Sequence, residues 1–170
     1  MIFVTVGTHE QSFDRLIVEV DELVETGQLN EPVFIQTGYS KYIPKYTDFK
    51  KFITYDEMSE FINKASVVIT HGGPATFMSV LAAGKKPIVV PRQVKFNEHI
   101  NDHQLEFVQQ VVEKGYEIDI VTDTKELRNT ISDNISKTTS FIPKSHNDEF
   151  VKKFTKIVKK LVINNKKTAK

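Results

Sequence analysis

The sequence has 170 residues, of which 39% are hydrophobic and 26% are charged, with a formal net charge of +1. These proportions predict one globular domain built around a single core. The chain contains no cysteine, which excludes a disulfide framework, a thiolate metal site and a cysteine nucleophile. No apolar run approaches the roughly 18 residues of a membrane span, and the first residues lack a basic segment, so we expect a soluble chain that stays in the cytoplasm.

Apolar, β-rich runs alternate with helical patterns along the chain. The predicted strands cover residues 2–6, 33–36, 50–54, 67–70, 87–90 and 116–121. The predicted helices cover residues 12–26, 56–64, 75–83, 99–114 and 123–136. This alternation predicts an α/β fold, a Rossmann-like parallel sheet flanked by helices.

The loops after the first, fourth and fifth strands are expected to hold the functional residues, because ligands of open α/β sheets bind beyond the carboxyl ends of the strands. The first of these loops contains Gly7, Thr8, His9 and Glu10. It has one glycine where a dinucleotide-binding fingerprint needs three, and it lacks the lysine of a P-loop. A Rossmann dehydrogenase and a P-loop NTPase are therefore disfavoured.

The second loop is the most informative, because a strand, a glycine turn and a helix start follow one another directly. Gly72 and Gly73 allow a tight turn and a close approach of a ligand, and Pro74 suits the first helical position. The unpaired N–H groups of the first helical turn, with Thr76, predict an anion site, most favourably for phosphate. The alternative is an ordinary strand-to-helix turn.

The third loop, residues 91–98, leads into the predicted helix 99–114. One side of that helix is expected to be polar, with His99, Asp102, His103 and Glu106. The other side is expected to face the core, with Ile100, Phe107, Val108 and Val111. The polar side is interpreted as a hydrogen-bonding surface for a sugar, with a solvated face as the alternative and a metal site as the least favoured reading.

The C-terminal end is strongly basic, since residues 151–170 carry eight lysines and no acidic residue. Residues 147–163 are predicted to form an amphipathic helix that packs on the domain 1–146 or on a partner, and residues 164–170 a disordered basic tail. A partner subunit and an anionic membrane face are both compatible with this helix. Nucleic-acid binding is disfavoured, because the rest of the chain is acidic and no aromatic pattern accompanies the lysines.

Four motifs together resemble a known family over nearly the whole chain. They are Val4-Thr5-Val6-Gly7-Thr8, His71-Gly72-Gly73-Pro74-Ala75-Thr76, Gly84-Lys85-Lys86-Pro87-Ile88-Val89-Val90-Pro91-Arg92, and Glu98-His99-Ile100-Asn101-Asp102-His103-Gln104. They resemble the small glycosyltransferase subunits of bacterial capsule and exopolysaccharide synthesis, which are similar to the catalytic subunit of the two-subunit UDP-GlcNAc transferase of lipid-linked oligosaccharide assembly. Both look like the C-terminal, donor-binding half of a GT-B enzyme of glycosyltransferase family 28.

The resemblance implies a UDP-sugar site and assigns residues to it. The donor's diphosphate would lie between the loop at Gly7 and Thr8 and the helix start at Gly72, Gly73 and Thr76. Asp102 and Gln104 would meet the sugar, with His99 beside them, and the backbone near Arg92 would hold the uracil. Where many family members carry a ribose-binding glutamate this chain has Ser79, so Ser79 or Glu98 is expected to take that contact, and the alternative is that Ser79 merely lines the helix.

The implied reaction is inverting transfer without an obligatory metal or other cofactor. The leaving diphosphate would be stabilised by the helix N-terminus, Thr76 and Arg92. His9, Glu10 and His71 are the candidate general bases.

The resemblance also implies partners for this chain. A membrane-anchored subunit would bind a lipid-linked saccharide acceptor and hold this chain at the inner face of the membrane. UDP-galactose, for a β-1,4-galactosyl transfer, is the first expected donor and UDP-GlcNAc the second, and the isolated chain is compatible with a homo-oligomer. The alternative is a non-catalytic nucleotide-sugar-binding or scaffold subunit that stimulates a separate transferase.

Overall fold

The computed structural model describes residues 1–137, and the predicted segments 147–163 and 164–170 lie outside them. The strands are β1 (Ile2–Thr5), β2 (Val33–Gln36), β3 (Asp48–Lys50), β4 (Val67–His71), β5 (Ile88–Val90) and β6 (Asp119–Ile120). The α-helices are α1 (Asp14–Glu25), α2 (Tyr55–Lys64), α3 (Pro74–Ala82), α4 (His103–Glu113) and α5 (Leu127–Lys137). Two short 3₁₀ turns, Val94–Phe96 and Thr124–Glu126, precede α4 and α5.

The six strands form one parallel sheet in the order β3-β2-β1-β4-β5-β6. The predicted α/β architecture, a parallel sheet flanked by helices, is therefore confirmed. The chain moves outward from β1 to β3, then returns to the other side of β1 to continue with β4. The loops after β1 and β4 thus leave the sheet in opposite directions, which opens a crevice at their carboxyl ends.

Apolar side chains cover both faces of the sheet, as expected for parallel strands that helices shield on each side. On one face, Val4 and Ile69 pack with Leu16 of α1 and Leu127 of α5. On the other face, one cluster joins the sheet to α2 and a second cluster lies against α3 and α4. The central strands are therefore fixed from both sides, and they hold the crevice in place.

The third strand lies earlier than the predicted segment 50–54. β3 pairs with β2 from Phe34 opposite Asp48 to Gln36 opposite Lys50, and the chain then leaves the sheet. The Thr54 side chain accepts from the Glu57 backbone N–H and the Glu57 side chain accepts from the Thr54 N–H, which forms a capping box for α2. The prediction of a strand over residues 52–54 is wrong. These residues have β-forming side chains, but they lead directly into α2.

The predicted helix 99–114 begins only at His103. Residues 99–102 precede the helix, with Asp102 at the N-cap position. Val108 and Val111 are buried as predicted. The prediction is wrong for Ile100, which is 79% exposed because it is not on the helix, and for Phe107, which is 39% exposed on α4. His99 therefore does not share a helical face with Asp102, His103 and Glu106, and this part of the prediction is wrong.

Two further boundaries differ from the sequence-based assignment. β6 is limited to Asp119–Ile120 within the predicted 116–121, and the last predicted helix begins as a 3₁₀ turn before α5. Within residues 1–137, no helix has both the length and the apolar character that a membrane crossing requires.

Candidate functional site

A crevice of about 280 Å³ opens between the carboxyl ends of β1 and β4. It lies where the strand order reverses, which is the usual ligand position in an open α/β sheet. Its walls are Gly7, Thr8, Gln36, Ile53, Met58, His71, Gly73, Pro74, Ala75 and Thr76. The predicted meeting of the loop after β1 with the turn after β4 is confirmed by this geometry.

The N-terminus of α3 faces this crevice without a side-chain cap. Gly73 occupies the N-cap position, Pro74 follows it at the helix start, and the first turn contains no acidic residue. The neighbouring helix α2 differs, because Thr54 and Glu57 cap it and acidic side chains occupy its first turn. The positive end of the α3 dipole is thus left available for an anion in the crevice.

His71 lies between the two glycine-containing loops. A Cβ atom added at Gly73 would lie 2.2 Å from the His71 Nε2, and one added at Gly7 would lie 2.5 Å from the same nitrogen. Both positions therefore require glycine as long as the imidazole keeps its place. Gly7 also has a φ of +76°, which disfavours other residues there.

The imidazole of His71 is neutral at physiological pH. Burial lowers its pKa to about 4, and the positive charge of Arg92 acts in the same direction. Its Nδ1 is buried and makes no hydrogen bond within the described part of the chain. The ring thus fills the space between the loops as an uncharged group.

Gln104 connects the turn after β4 to the loop after β5. Its side-chain oxygen accepts hydrogen bonds from the backbone N–H groups of Gly72 and Arg92, both at 3.1 Å. Gln104 therefore fixes the relative position of two loops at the carboxyl edge of the sheet. The amide oxygen is occupied by these two contacts.

Arg92 is fully buried and is not among the residues that line the crevice. Its guanidinium donates to the backbone oxygens of Val6, Gln11, Ser12 and Glu98, and lies 4.7 Å from the centre of the Phe13 ring. These contacts correct the expected phosphate role of this side chain, because the guanidinium is committed to holding loops together.

Glu98 is also turned inward. Its carboxylate accepts from Arg15 Nε at 2.9 Å and Nη2 at 3.0 Å, and from the Gln93 backbone N–H at 3.1 Å. The Arg15 guanidinium in turn lies 4.4 Å from the centre of the Phe96 ring. A ribose contact from Glu98, one of the two predicted options, would require this charged pair to open.

His9 and His99 come together although they lie on different loops. Their ring centroids are 4.6 Å apart. The Nδ1 of His9 accepts from the Gln11 backbone N–H at 3.2 Å, and the Nδ1 of His99 accepts from the Asn101 backbone N–H at 3.4 Å. Because a backbone N–H can only donate, each neutral ring carries its proton on Nε2.

The pKa of His9 is lowered, first by burial and then by the charges of His99 and Arg92, while Glu10 opposes the change. The lowered pKa favours the neutral form of His9, and in that form its Nε2 is a hydrogen-bond donor. A general base needs a free lone pair, so this arrangement does not favour His9 in that role. Glu10 is exposed on the same loop.

The remaining predicted residues lie around the crevice. The Ser79 hydroxyl donates to the Ala75 backbone oxygen of its own helix at 2.8 Å. The Asp102 carboxylate accepts from the Val94 backbone N–H at 2.9 Å. Thr8 and Thr76 line the crevice itself. Ser79 and Asp102 thus make local backbone contacts, and the two threonines are placed to meet a ligand.

Three crevice residues were not predicted from the sequence: Gln36, Ile53 and Met58. The Gln36 side chain accepts from Thr5 Oγ1 at 2.6 Å and from the Gly7 N–H at 3.2 Å, and donates to the Gly7 oxygen at 3.0 Å. It therefore fixes the first loop. A polar residue at the end of an otherwise apolar buried strand was the available signal, whereas Ile53 and Met58 reach the crevice only through tertiary packing.

Within residues 1–137, histidine, aspartate and glutamate side chains do not gather in any group of three or more that could hold a metal ion. His103 and Glu106, from the stripe considered for metal binding, instead pair with each other at 2.9 Å on the exposed side of α4. The residues of the crevice offer hydrogen-bond donors rather than a set of carboxylates.

Residues 1–161 match the family model described as the glycosyltransferase family 28 C-terminal domain. The chain is 34% identical over 125 residues to the human UDP-N-acetylglucosamine transferase subunit ALG13, and 30% identical over 124 residues to the mouse protein of the same name. These matches cover 68% and 67% of this chain. In both cases the match spans only 10% of the relative's own length.

Solved structures of glycosyltransferases share the fold. The kitacinnamycin glycotransferase superposes with a TM-score of 0.60 at 16% identity, covering 79% of this chain and 34% of that one. MurG of Acinetobacter baumannii superposes with a TM-score of 0.53 at 20% identity, covering 81% of this chain and 41% of that one. At these identities the likeness concerns the architecture alone.

Proposed function

The chain belongs to glycosyltransferase family 28, because residues 1–161 match the C-terminal domain of that family. On that premise we propose that the chain is the donor-binding catalytic subunit of an inverting UDP-sugar hexosyltransferase. One observation carries the proposal: the uncapped N-terminus of α3 opens into a crevice at the point where the strand order reverses. That arrangement suits the diphosphate of a nucleotide sugar.

The diphosphate would be held mainly by backbone groups and by Thr76. The walls of the crevice contain no lysine or arginine among the described residues, and Arg92 is committed elsewhere. Charge that develops on the leaving diphosphate would therefore be stabilised by the helix dipole, N–H donors and a threonine hydroxyl. Such a site requires no metal, so we propose transfer without an obligatory cofactor.

The deprotonation of the acceptor hydroxyl is assigned to Glu10 or to a group of a partner subunit. His71 has a pKa of about 4 and is a weak base at neutral pH. His9 presents a protonated Nε2, because its Nδ1 accepts a backbone hydrogen bond. Glu10 is exposed beside His9, and its negative charge raises the pKa of that histidine.

UDP-galactose is the proposed donor, for a β-1,4 transfer in capsule or exopolysaccharide synthesis, and the motifs at residues 70–104 support this assignment through their resemblance to bacterial subunits. UDP-GlcNAc is the competing donor, supported by the name of the mammalian relatives. Those relatives are also named as subunits, which supports a heteromeric enzyme. We place this chain at the inner face of the membrane, through an anchored subunit that presents a lipid-linked saccharide.

Donor binding is tested by an NMR titration of the full chain with UDP, UDP-galactose, UDP-GlcNAc and NAD. We expect chemical-shift changes for the uridine nucleotides and not for NAD. Thr76→Ala should raise the Kd for UDP about tenfold or more, since it removes a hydrogen bond to a charged group. Thr130→Ala on α5 is the matched control, because the Thr130 hydroxyl donates to the Glu126 backbone oxygen and the residue does not line the crevice, and it should leave the Kd unchanged. Equal responses to UDP and NAD would contradict the proposal.

A non-catalytic subunit that binds the nucleotide sugar and stimulates another transferase is the second candidate. This candidate is favoured because neither His9 nor His71 is arranged as a general base. A transfer assay distinguishes the two candidates. It compares the natural chain with Thr76→Ala, using UDP-[³H]galactose and a membrane fraction that supplies the partner and the acceptor. A catalytic subunit loses transfer in this variant with normal assembly, whereas a scaffold keeps it.

A further inference from the structure

Gln36 ends β2 at the wall of the crevice, yet its amide has no capacity left for a ligand. The oxygen accepts from Thr5 Oγ1 at 2.6 Å and from the Gly7 N–H at 3.2 Å. The nitrogen donates to the backbone oxygens of Gly7 and Lys51, both at 3.0 Å. A glutamine amide has two lone pairs and two N–H donors, so these four bonds use all of them. Gln36 therefore affects a ligand only through the residues that it holds.

Gly7 is held at both its N–H and its carbonyl group by this one side chain. The geometry follows from the pairing of the strands, because Thr5 on β1 lies opposite Gln36 on β2. The Gly7 N–H also reaches Thr5 Oγ1 at 3.3 Å. On the same side, a Cβ atom added at Gly38 would lie 2.4 Å from the Gly7 oxygen. The Gly7 carbonyl is therefore directed towards the β2 side of β1.

The direction of the Gly7 carbonyl determines the direction of the next N–H group. Residues 1–137 contain no cis peptide bond, and in a planar trans peptide the N–H points opposite to the carbonyl. In the sheet, β2 lies on one side of β1 and β4 on the other. The Thr8 N–H therefore points towards the β4 side, where α3 begins. It makes no hydrogen bond with any described residue, and Thr8 lines the crevice.

The opposite wall presents a matching donor. The Gly73 N–H, at the start of α3, also lacks a hydrogen-bond partner among residues 1–137. The His71 ring lies between Gly7 and Gly73 and is neutral at physiological pH. No other titratable side chain of the described residues lines this crevice. The directions of backbone N–H groups therefore decide how well an anion is held here.

We propose that Gln36 is a positioning residue for the nucleotide diphosphate, because it directs the Thr8 N–H across the crevice to a phosphate group that also meets the N-terminus of α3. This role rests on the proposed function, since it requires the diphosphate of UDP in the crevice. The amide is essential to it. A carboxylate at this position could only accept hydrogen bonds, and an apolar side chain could neither accept from the Gly7 N–H nor donate to the Gly7 oxygen.

The first test uses the natural full chain, labelled with ¹⁵N and titrated with UDP or with uridine, which lacks the phosphates. An N–H that begins to donate to a phosphate moves downfield in the spectrum. With UDP, we expect this shift for the amide protons of Thr8 and Gly73. The Gly7 amide proton should move much less, because it is already bonded to Gln36. Uridine should leave the Thr8 and Gly73 amides in place.

The second test is Gln36→Glu, which keeps the size of the side chain and loses both N–H donors. We expect the Kd for UDP to rise about tenfold, as for the loss of one hydrogen bond to a charged group, and the downfield shift of Thr8 to disappear. Asn134→Asp is the matched control. Asn134 is also a buried amide, 3% exposed against 2% for Gln36, and its nitrogen donates to the Lys86 oxygen, away from the crevice. This variant should lose stability and keep the Kd.

A folded Gln36→Glu chain that binds UDP as the natural chain does would overturn the positioning role and leave the donor site standing. The same holds if UDP leaves the Thr8 amide unmoved, or if Asn134→Asp weakens UDP binding equally, because lost stability would then explain both variants. No response of the natural chain to UDP would overturn the proposed function together with this role. If Gln36→Glu does not fold, the Thr8 and Gly7 shifts of the natural chain decide alone.

Discussion

His71 illustrates how a single residue links the stability of this fold to the shape of its crevice. Its ring fits against Gly7 and Gly73, and burial lowers its pKa to about 4. A histidine held neutral in the folded state gains its proton more readily in the unfolded chain. Acid therefore favours unfolding in the range between the unfolded pKa near 6.5 and the folded pKa near 4.

We predict that stability falls as the pH is lowered from 7 to 5, and that His71 contributes about 2 kcal/mol of this loss. His9 contributes in the same direction, because its pKa is lowered as well. Urea unfolding at several pH values measures the effect. His71→Asn should show a smaller slope with pH than the natural chain, while His103→Asn, at an exposed site, should keep it. An unchanged slope in His71→Asn would contradict the assignment.

At the scale of elements, the two neighbouring helices α2 and α3 differ in how their N-termini are completed. α2 has a capping box and acidic residues in its first turn, whereas α3 has neither. An acid in the first turn of a helix is normally stabilising by about 0.3–1 kcal/mol. Its omission from α3 is explained if a ligand supplies the negative charge.

Ala75→Glu should therefore separate stability from ligand binding. The new carboxylate lies in the first turn of α3 and on the wall of the crevice, so we expect an unchanged or higher Tm and a Kd for UDP raised about tenfold or more. Ser59→Glu adds the same charge at an exposed position of α2 and serves as the control. A Kd for UDP that stays unchanged in Ala75→Glu would show that the diphosphate does not lie at this helix end.

The elements also show what the sequence could predict. Val67–His71 and Pro74–Ala82 were recognisable from a buried apolar run followed by glycine and proline. β3 was misplaced because Phe52 and Ile53 have strand-forming side chains but approach the cap of α2. The start of α4 was misplaced because its polar residues fit a helical period while residues 99–102 form a loop.

The site was predicted where local geometry determines it and missed where distant contacts do. The glycine turn and Thr76 followed from sequence order alone. Arg92 was expected to meet phosphate through the family resemblance, yet its buried guanidinium donates to backbone oxygens of Val6 and Gln11 in the loop after β1. The Gln104 bridge and the Gln36 contacts join residues 12 to 32 positions apart, which no local pattern reports.

The molecule as a whole separates its charges along the chain. Residues 147–170 contain eight lysines and two acidic residues, and without them the chain would carry a net charge of −5 instead of +1. An acidic domain disfavours the approach of a nucleotide diphosphate at long range, although contacts in the crevice act locally. The C-terminal lysines would therefore affect the encounter with UDP mainly through screened, long-range attraction.

Deletion of residues 147–170 should consequently leave the crevice intact, because its walls lie between residues 7 and 76. At low salt the shortened chain is expected to bind UDP severalfold more weakly, and at about 1 M salt, where the Debye length is about 3 Å, it should equal the full chain. Calorimetric titrations at both salt concentrations measure this difference, with unfolding curves to verify that the domain is folded. A deficit that persists at high salt would mean that residues 147–170 touch the nucleotide directly.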